Sequence, residues 1–306
     1  MKKLTMKDSM KNTIHIYLYE AKGTPKGIVH IIHGASEHFA RYGVFAEFLN
    51  EHGYHVIGAD LLGHGLSTET LDYVHYADKG GDKLAFEGVT LVRDYIVNEF
   101  PKLPAYVLGH SMGSFLTRKL ILEDPKTYQK AVISGTAMTP QALTSVAIAL
   151  TGIIGFFRGK KHVSNLIQNM AIDANPARMK KDGIIGDFKE EWLTKDEEVQ
   201  QYYHHSPMCG QPFTVQANQD MFRWIKFVND VKNIRLGNKE MPLYFMSGEK
   251  DPLGDYGKGI QALVALFQKE GYLHVSMKLY ENDRHEVLNE LDKDTAFADI
   301  LAFFEA

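Results

Sequence analysis

The chain has 306 residues, 44% hydrophobic and 24% charged, enough for a large core in one domain or in a domain with an insertion. Its net charge of -4 arises from 34 basic and 38 acidic residues spread along the chain, without the basic stripe of nucleic-acid-binding proteins, so no nucleic-acid partner is expected. The N-terminal lysines precede no apolar segment and Cys209 is the only cysteine, so we expect a cytoplasmic protein without an intrachain disulfide.

Short β-rich apolar runs alternate with amphipathic runs, an order typical of parallel strands joined by helices. The pattern predicts an α/β fold with a doubly wound, mostly parallel sheet. Strands are predicted at residues 13–20, 26–33, 55–60, 105–109, 130–135, 242–248 and 274–281. Helices, where apolar residues recur three and four positions apart, are predicted at residues 41–52, 84–100, 112–123, 256–270 and 290–304.

The alternation is interrupted once, where residues 136–241 replace the usual single helix between two strands. An insertion of this size predicts a subdomain. We expect a helical cap over residues 137–212, and a core built from residues 1–136 and 213–306.

The most apolar run of the chain, residues 136–161, lies at the start of this insertion and raises the question of a membrane span. Pro140, Gly152 and Gly155 punctuate it, so we predict separate short helices. The uncharged part outside the preceding strand, residues 142–157, is shorter than the roughly 20 residues that a spanning helix needs. The sequence therefore predicts no stable membrane insertion.

A candidate nucleophile lies in the sequence AYVLGHSMGSFL, between a predicted strand and a predicted helix. Gly109 and Gly113 flank Ser111 at two positions on either side. In a G-x-S-x-G turn the small residues relieve crowding around the serine backbone, which leaves the serine side chain exposed above the sheet. Ser111 as a mere helix N-cap is the alternative. The strand, turn and helix context favours the nucleophile.

A nucleophilic serine needs a histidine as base and a carboxylate that orients the histidine. In this type of fold the order is serine, acid, histidine, at the ends of later strands. Asp251 follows the strand at 242–248, and Asp255 is the alternative acid. His285 is the only histidine between the last strand and the last helix, although a solvent-facing loop histidine would look the same. The sequence predicts a triad of Ser111, Asp251 and His285.

The oxyanion of the intermediate needs two backbone donors. Met112, directly after the nucleophile, is expected to supply one. The other is expected from Ala35 in the loop HGASEHFARY, where Gly34 allows the backbone to turn close to the serine.

Five further residues are candidates for substrate contact. Glu37 and Arg41, four positions apart, form either an ion pair that fixes the loop or part of the acyl-acceptor site, and the structural role is favoured. Ile148, Ile154 and Phe157 are expected in a wall for an acyl chain, although burial against the cap would give the same pattern. The basic residues that follow predict a solvated helix end, with transient membrane-surface contact as a minor alternative.

No metal, nucleotide or other cofactor is expected. His285 and Glu286 begin like the zinc motif H-E-x-x-H, but the fifth position is Asn289. The pair His204 and His205 has no acidic or cysteine companion at ligand spacing, so a polar loop is expected there. A phosphate-binding G-x-x-x-x-G-K-[ST] motif is absent.

Five segments occur in an order shared with a known family, namely HGASEHFARY, DLLGHGLST, GHSMGS, SGEKDPLGDYGKG and RHEVLNE. With them, the chain resembles the α/β-hydrolases of the monoacylglycerol lipase and lysophospholipase type, often labelled serine aminopeptidase-like hydrolases. The cap segment HHSPMCGQPFT is also similar to bacterial lysophospholipase-like members. The resemblance implies an α/β-hydrolase fold with a cap, the triad and oxyanion donors above, and hydrolysis of a lipid-like carboxylic ester through an acyl-enzyme.

Two positions depart from the family pattern. Ser114 replaces a glycine that is common after the nucleophile, and Leu288 replaces a second histidine found in animal monoacylglycerol lipases. Two alternatives stay open. An aminopeptidase with the same triad would need cap carboxylates such as Asp173, Asp187 or Glu190 to bind a substrate ammonium. A non-catalytic binding protein on the same fold would keep the triad without using it.

Overall fold

The computed structural model describes residues 1–306, the whole chain. One sheet contains all eight strands, in the spatial order β1-β2-β4-β3-β5-β6-β7-β8. β2 pairs antiparallel with β1 and β4, and all other neighbours are parallel, which confirms the predicted α/β fold. The strands are β1 Lys2–Lys7, β2 Thr13–Tyr19, β3 Gly27–Ile32, β4 Tyr54–Ala59, β5 Ala105–His110, β6 Tyr128–Ser134, β7 Leu243–Gly248 and β8 Val275–Tyr280.

Eleven α-helices connect and cover the strands. They are α1 Gly43–Glu51, α2 Gly81–Glu99, α3 Met112–Glu123, α4 Gln141–Arg158, α5 Asn165–Gln168, α6 Ala174–Lys181, α7 Glu197–His205, α8 Val215–Val228, α9 Val231–Ile234, α10 Lys258–Lys269 and α11 Lys293–Glu305. The pair His204 and His205, expected in a loop, forms the last turn of α7. His204 there contacts Glu190.

The central strands are buried on both faces because helices cover both sides of the sheet. Every residue of β3, β4, β5 and β7 is buried. One large apolar cluster joins the sheet to α2, α3, α8 and α10, and a second joins its other face to α1 and α11. This arrangement fixes the carboxyl ends of the parallel strands, where the candidate catalytic residues lie.

The first strand, β1, was not predicted from the sequence. It forms an antiparallel hairpin with β2, and the turn is held by Asp8, which accepts hydrogen bonds from the N–H groups of Met10 and Asn12. Only Leu4 and Met6 pack against the core, and three lysines and Thr5 occupy the exposed positions. Charged residues on a short edge strand prevent pairing with further strands. They also weaken the apolar pattern from which a strand is predicted.

The apolar run at the start of the insertion forms one continuous helix, α4, so the prediction of separate short helices was wrong. Pro140 precedes the helix, where its missing N–H costs nothing. Gly152 and Gly155 do not end the helix because they face α8: a Cβ at Gly152 would lie 3.1 Å from Gln219, and one at Gly155 would lie 3.4 Å from Val215. The glycines allow close approach of two helices.

The cap contains α4 to α7 and the segments that connect them, and it lies over the carboxyl end of the sheet. α8 differs from these helices because it packs against α2 and α3 of the core as well as against α4. The predicted boundaries 137–212 place α4 to α7 in the cap and α8 in the core. This division of the chain stays a prediction.

Candidate active site

The turn between β5 and α3 holds Ser111 in a strained backbone conformation, with φ 54° and ψ -120°. The flanking glycines are required by space. A Cβ at Gly109 would lie 2.1 Å from the Thr117 hydroxyl, and one at Gly113 would lie 2.1 Å from the Ile32 carbonyl oxygen. The half-buried Ser111 side chain therefore stands at the end of the sheet, as a nucleophile elbow requires.

Three side chains from separate strand ends form a continuous hydrogen-bonded chain. Ser111 Oγ lies 2.9 Å from His285 Nε2, and His285 Nδ1 lies 3.0 Å from Asp251 Oδ2. Asp251 also accepts hydrogen bonds from the Leu253 N–H and the Ser247 hydroxyl. The structure thus brings the three predicted residues together in the order of a serine hydrolase triad.

The buried carboxylate of Asp251 controls the state of the imidazole. Burial alone would lower the pKa of His285, but the charge and hydrogen bond of Asp251 outweigh it, and the net shift is upward. Burial alone would raise the pKa of Asp251, but the adjacent His285 keeps it below its ordinary value. The ionised carboxylate accepts a hydrogen bond from Nδ1–H, which holds the proton on Nδ1 and leaves the Nε2 lone pair to accept the Ser111 proton.

Asp255, the alternative acid, has a different environment. Its carboxylate lies 2.7 Å from Arg178 of α6, at the surface and without contact to His285. Asp255 and Tyr256 both have positive φ values, 51° and 53°, and the Tyr256 hydroxyl donates to Asp182. These bonds join α6 of the cap to the loop that carries Asp251.

The loop after β3 lies directly against the nucleophile. A Cβ at Gly34 would be 2.7 Å from a Glu37 carboxylate oxygen and 3.1 Å from Ser111 Cβ, so glycine allows this approach without displacing either side chain. The Ala35 N–H donates no hydrogen bond within the protein, and Met112 is the first residue of α3, whose N–H the helix does not use. Both residues line the cavity beside Ser111. This placement matches the expected pair of oxyanion donors.

A buried ion cluster holds this loop. Glu37 accepts hydrogen bonds from the Gly34 N–H at 2.5 Å, from the Tyr42 hydroxyl at 2.8 Å and from Arg41 at 2.6 Å. Arg41 also forms a bidentate pair with Glu286, at 2.7 and 2.6 Å. Burial would raise the pKa of Glu37, but the Arg41 guanidinium, together with His110, His33 and the Gly34 N–H, outweighs it and lowers the pKa. The cluster joins the oxyanion loop to the residue next to His285.

Glu286, His33 and His110 are site residues that the sequence analysis did not assign. His33 links the loop to the end of β4, because Nδ1 donates to the Gly34 carbonyl and Nε2 accepts the Leu61 N–H. The His110 ring lies 4.7 Å from the His285 ring. Burial, together with His285, lowers the pKa of His110 to about 4. In the sequence, the only sign of a role for these three residues was that each is adjacent to a predicted motif residue: His285, Gly34 or Ser111.

A largely apolar cavity of about 300 Å³ opens above Ser111. Its walls combine the core and the cap, and its polar lining includes Glu37 and Glu286. Sixteen of its 26 lining residues are hydrophobic, among them Phe115, Ala137, Leu143, Ala147, Met170, Ile172, Trp192, Leu193, Met221, Phe222, Ile225 and Leu253.

The structure corrects the predicted acyl-chain wall. Ile148, Ile154 and Phe157 lie outside the cavity, and α4 contributes Leu143, Thr144 and Ala147 instead. Only the N-terminal half of α4 covers the site. Ile148 and Ile154 pack beside the core, and Phe157 is 77% exposed. Arg41 also lies outside the cavity lining, behind Glu37.

The cap carboxylates considered for an aminopeptidase are also remote from the cavity. Asp173 pairs with Lys189, and Asp187 pairs with Lys180 at a fully exposed position. Glu190 contacts His204. None of the three lines the cavity. The carboxylates that do line it, Glu37 and Glu286, are both hydrogen-bonded to Arg41, so neither offers an unpaired partner for an ammonium group.

Several known proteins are similar to this chain in sequence or in fold. The chain is 25% identical over 287 residues to the monoacylglycerol lipase of Mycolicibacterium smegmatis, covering 91% of this chain and 88% of that protein. It is 22% identical over 279 residues to phospholipase YtpA of Bacillus subtilis, covering 91% and 95% of the two chains. A thermostable carboxyl esterase from Bacillus coagulans has the same fold, with a TM-score of 0.87 at 21% identity over 99% of this chain and 97% of that one. A family model described as serine aminopeptidase, S33, matches residues 23–292, and the chain is an α/β-hydrolase that belongs to this family.

Proposed function

We propose that this chain is a serine hydrolase that cleaves carboxylic esters of lipid-like substrates through an acyl-enzyme intermediate. The single observation that carries the proposal is the hydrogen-bonded chain from Ser111 through His285 to Asp251, which opens into an apolar cavity. Ester hydrolysis needs a base within hydrogen-bond reach of the nucleophile and a dry pocket for the acyl group.

The reaction has two halves. Ser111 Oγ attacks the ester carbonyl carbon while His285 Nε2 takes its proton, and the oxyanion accepts hydrogen bonds from the N–H groups of Ala35 and Met112. The C–O bond to the alcohol breaks, and His285 returns the proton to the departing alcohol oxygen. Water then attacks the acyl-enzyme with His285 as base, which releases the carboxylic acid and restores Ser111.

The cavity supports a lipid-like ester over a peptide. Its apolar part suits an acyl chain, and the end beside Glu37 and Glu286 suits a hydroxylated alcohol group. An aminopeptidase needs an unpaired carboxylate near the nucleophile, which this site lacks. The names of the relatives, monoacylglycerol lipase and phospholipase, also favour lipid esters.

Hydrolysis of p-nitrophenyl esters of increasing chain length tests this function. We expect turnover by the wild-type protein, and a loss on the order of 10⁶-fold in kcat for Ser111→Ala. Thr127→Ala, at a half-buried position outside the site, serves as the matched control and keeps wild-type rates. Equal rates for wild type and Ser111→Ala would refute the proposal, and faster release of aminoacyl-naphthylamides than of esters would support the aminopeptidase instead.

We also propose that the outer face of α4 contacts lipid surfaces. By length and composition alone this helix could span a membrane. In the structure one side of it packs against α8, but only 22% of its residues are buried, so much of its apolar surface is accessible. Phe156 and Phe157 are 80% and 77% exposed, and the basic Arg158, Lys160 and Lys161 follow them. Exposed aromatic residues beside basic ones suit the interface of a membrane with anionic headgroups.

Sedimentation with vesicles tests this contact. We expect more binding to vesicles that contain phosphatidylglycerol than to pure phosphatidylcholine, and reduced binding for Phe156→Ser/Phe157→Ser. Hydrolysis of a water-soluble ester should be unchanged in this variant because neither residue lines the cavity. Binding that is the same for the variant would contradict the proposal. So would a wild-type dimer in light scattering that becomes a monomer in the variant, because this face would then contact a second copy of the chain.

A further inference from the structure

A short segment of the cap, residues 191–195, is bonded directly to the loop that carries the candidate catalytic histidine. We call this segment the strap. Two N–H groups of that loop donate to strap carbonyls: His285 to Trp192 at 3.4 Å, and Glu286 to Leu193 at 2.7 Å. The Arg284 guanidinium donates to the carbonyls of Glu191 and Thr194.

The C-terminal end of the strap, Thr194 and Lys195, is also bonded to the histidine loop and the residues that follow it. The buried carboxylate of Glu290 accepts hydrogen bonds from the Thr194 hydroxyl and the Lys195 N–H, at 3.0 and 2.8 Å. The Lys195 ammonium lies 2.6 Å from Asp283. The position of the strap relative to the histidine loop is therefore defined by bonds at both ends.

The strap places an indole ring on the imidazole. The Trp192 and His285 ring centroids are 4.6 Å apart and their planes differ by 18°, so the two rings are stacked. Both side chains are buried, and Trp192 also lines the cavity above Ser111. As the base, His285 gains a proton in each half of the reaction, and the imidazolium cation then lies against the face of the Trp192 indole.

We propose that Trp192 is a positioning residue for His285: the cap supplies an aromatic face that holds the imidazole toward Ser111 and stabilises it when it is protonated. Tryptophan attracts a cation over its face more strongly than other aromatic residues do, and a leucine of comparable cover does not. The inference rests on the proposed function, because it assigns His285 the role of base. It makes the cap part of the catalytic site rather than only a wall of the substrate cavity.

Charged and titratable groups surround the stacked Trp192 and His285 rings and contribute to the pH dependence of His285. The imidazole is bonded to Asp251 and Ser111 and lies beside the ring of His110. The charges of Glu37 and Glu286 also act on the imidazole, and Glu191 and Arg284, next to the two rings in sequence, lie 3.9 Å from each other. None of them is changed by substitution at Trp192.

Kinetics of two matched variants test the proposal. Trp192→Phe retains an aromatic face, and Trp192→Leu retains an apolar cover without one. We expect Trp192→Leu to lower kcat/KM for a soluble ester on the order of 10-fold, and Trp192→Phe to stay within about 3-fold of wild type. Without the aromatic face the imidazolium is less stable, so the acid limb of the Trp192→Leu profile should move about half a pH unit lower.

Fluorescence provides a measurement that leaves Trp192 unchanged. The chain has two tryptophans, and Trp224 is buried in the core with its Nε1 bonded to Asp82, so Trp224→Phe makes Trp192 the only emitter. A protonated imidazole in contact with indole quenches its emission. We expect the emission of this variant to fall as pH drops through the pKa of His285, and the additional change His285→Gln to abolish that titration.

The outcomes separate this inference from the proposed function. Failure of wild type to hydrolyse esters or to react with a fluorophosphonate at Ser111 would overturn the proposed function. Active wild type with equal rates and pH profiles for Trp192→Leu and Trp192→Phe would overturn only the role of Trp192. Emission that does not titrate, or that titrates equally without His285, would also overturn that role.

Discussion

Glu37 connects the oxyanion loop to charge that is buried behind it. Its carboxylate is the acceptor for the Gly34 N–H and pairs with Arg41, which also binds Glu286 beside the candidate base. One arginine therefore fixes both the loop that is expected to bind the oxyanion and the loop that carries His285. A buried ion cluster of this kind adds little net stability because its charges lose their hydration. Removal of one partner is strongly destabilising, because it leaves a buried charge without compensation.

Glu37→Gln should lower kcat on a short soluble ester about 10-fold with little change in KM. The amide keeps an acceptor for Gly34 but loses the charge that binds Arg41, so the loop is held less firmly. We expect a loss of about 1 to 3 kcal/mol in the free energy of unfolding, measured by urea denaturation. Glu47→Gln, an exposed change on the adjacent helix, is the control and should leave both quantities unchanged. Wild-type kcat in Glu37→Gln would show that the cluster does not hold the loop.

The pH dependence of hydrolysis follows from the state of His285. Its pKa is raised from 6.5 because Asp251 outweighs the effect of burial, and only the neutral imidazole can accept the Ser111 proton. We expect kcat/KM to decline as pH falls through a midpoint above 6.5. A profile measured with a soluble ester checks this. Activity that is constant down to pH 5 would show that His285 is not the base.

At the scale of elements, α4 uses its two faces for different purposes. The side toward α8 carries small residues, Thr144, Ala147, Thr151 and Gly155, which allow the helices to approach closely. Among its larger apolar residues, Leu143 lines the cavity, Ile148 and Ile154 pack beside the core, and Phe156 and Phe157 are exposed. The sequence pattern indicated an apolar helix but not this orientation, because the direction of each side depends on where α8 lies.

Leu143→Asp should reduce hydrolysis of p-nitrophenyl decanoate about 10-fold while leaving the acetate ester within about 2-fold. The reason is that Leu143 lines the acyl part of the cavity, where a carboxylate is unfavourable beside a long chain. Val146→Asp, one turn along at an exposed position outside the cavity, is the matched control and should affect neither ester. A uniform loss on both esters in Leu143→Asp would point to packing instead of substrate contact.

The cap contacts the loops of both candidate catalytic partners. Arg178 of α6 pairs with Asp255 in the loop after Asp251, and the strap at 191–195 is bonded to the loop of His285. The core supplies the nucleophile and the oxyanion loop. The site is therefore an assembly of both parts of the chain.

At the scale of the whole molecule, the sequence predicted what depends on local pattern. The strand, turn and helix around Ser111 and the loops after β7 and β8 follow from short motifs, and the structure brings those residues together. The strap contacts, the role of Glu286 and the cavity lining join residues far apart in the chain, 93 positions in the case of Arg284 and Glu191. No periodicity encodes such contacts, so they required the structure.

The central claim is that Ser111 is a nucleophile activated by His285 and Asp251. Reaction with a fluorophosphonate, followed by mass analysis of the modified peptide, measures this most directly. We expect stoichiometric labelling of Ser111 in the wild-type protein, no labelling in Ser111→Ala and strongly slowed labelling in His285→Ala. The control variant Ser114→Ala should still be labelled at Ser111. Labelling at another residue, or equal labelling with and without His285, would contradict the account.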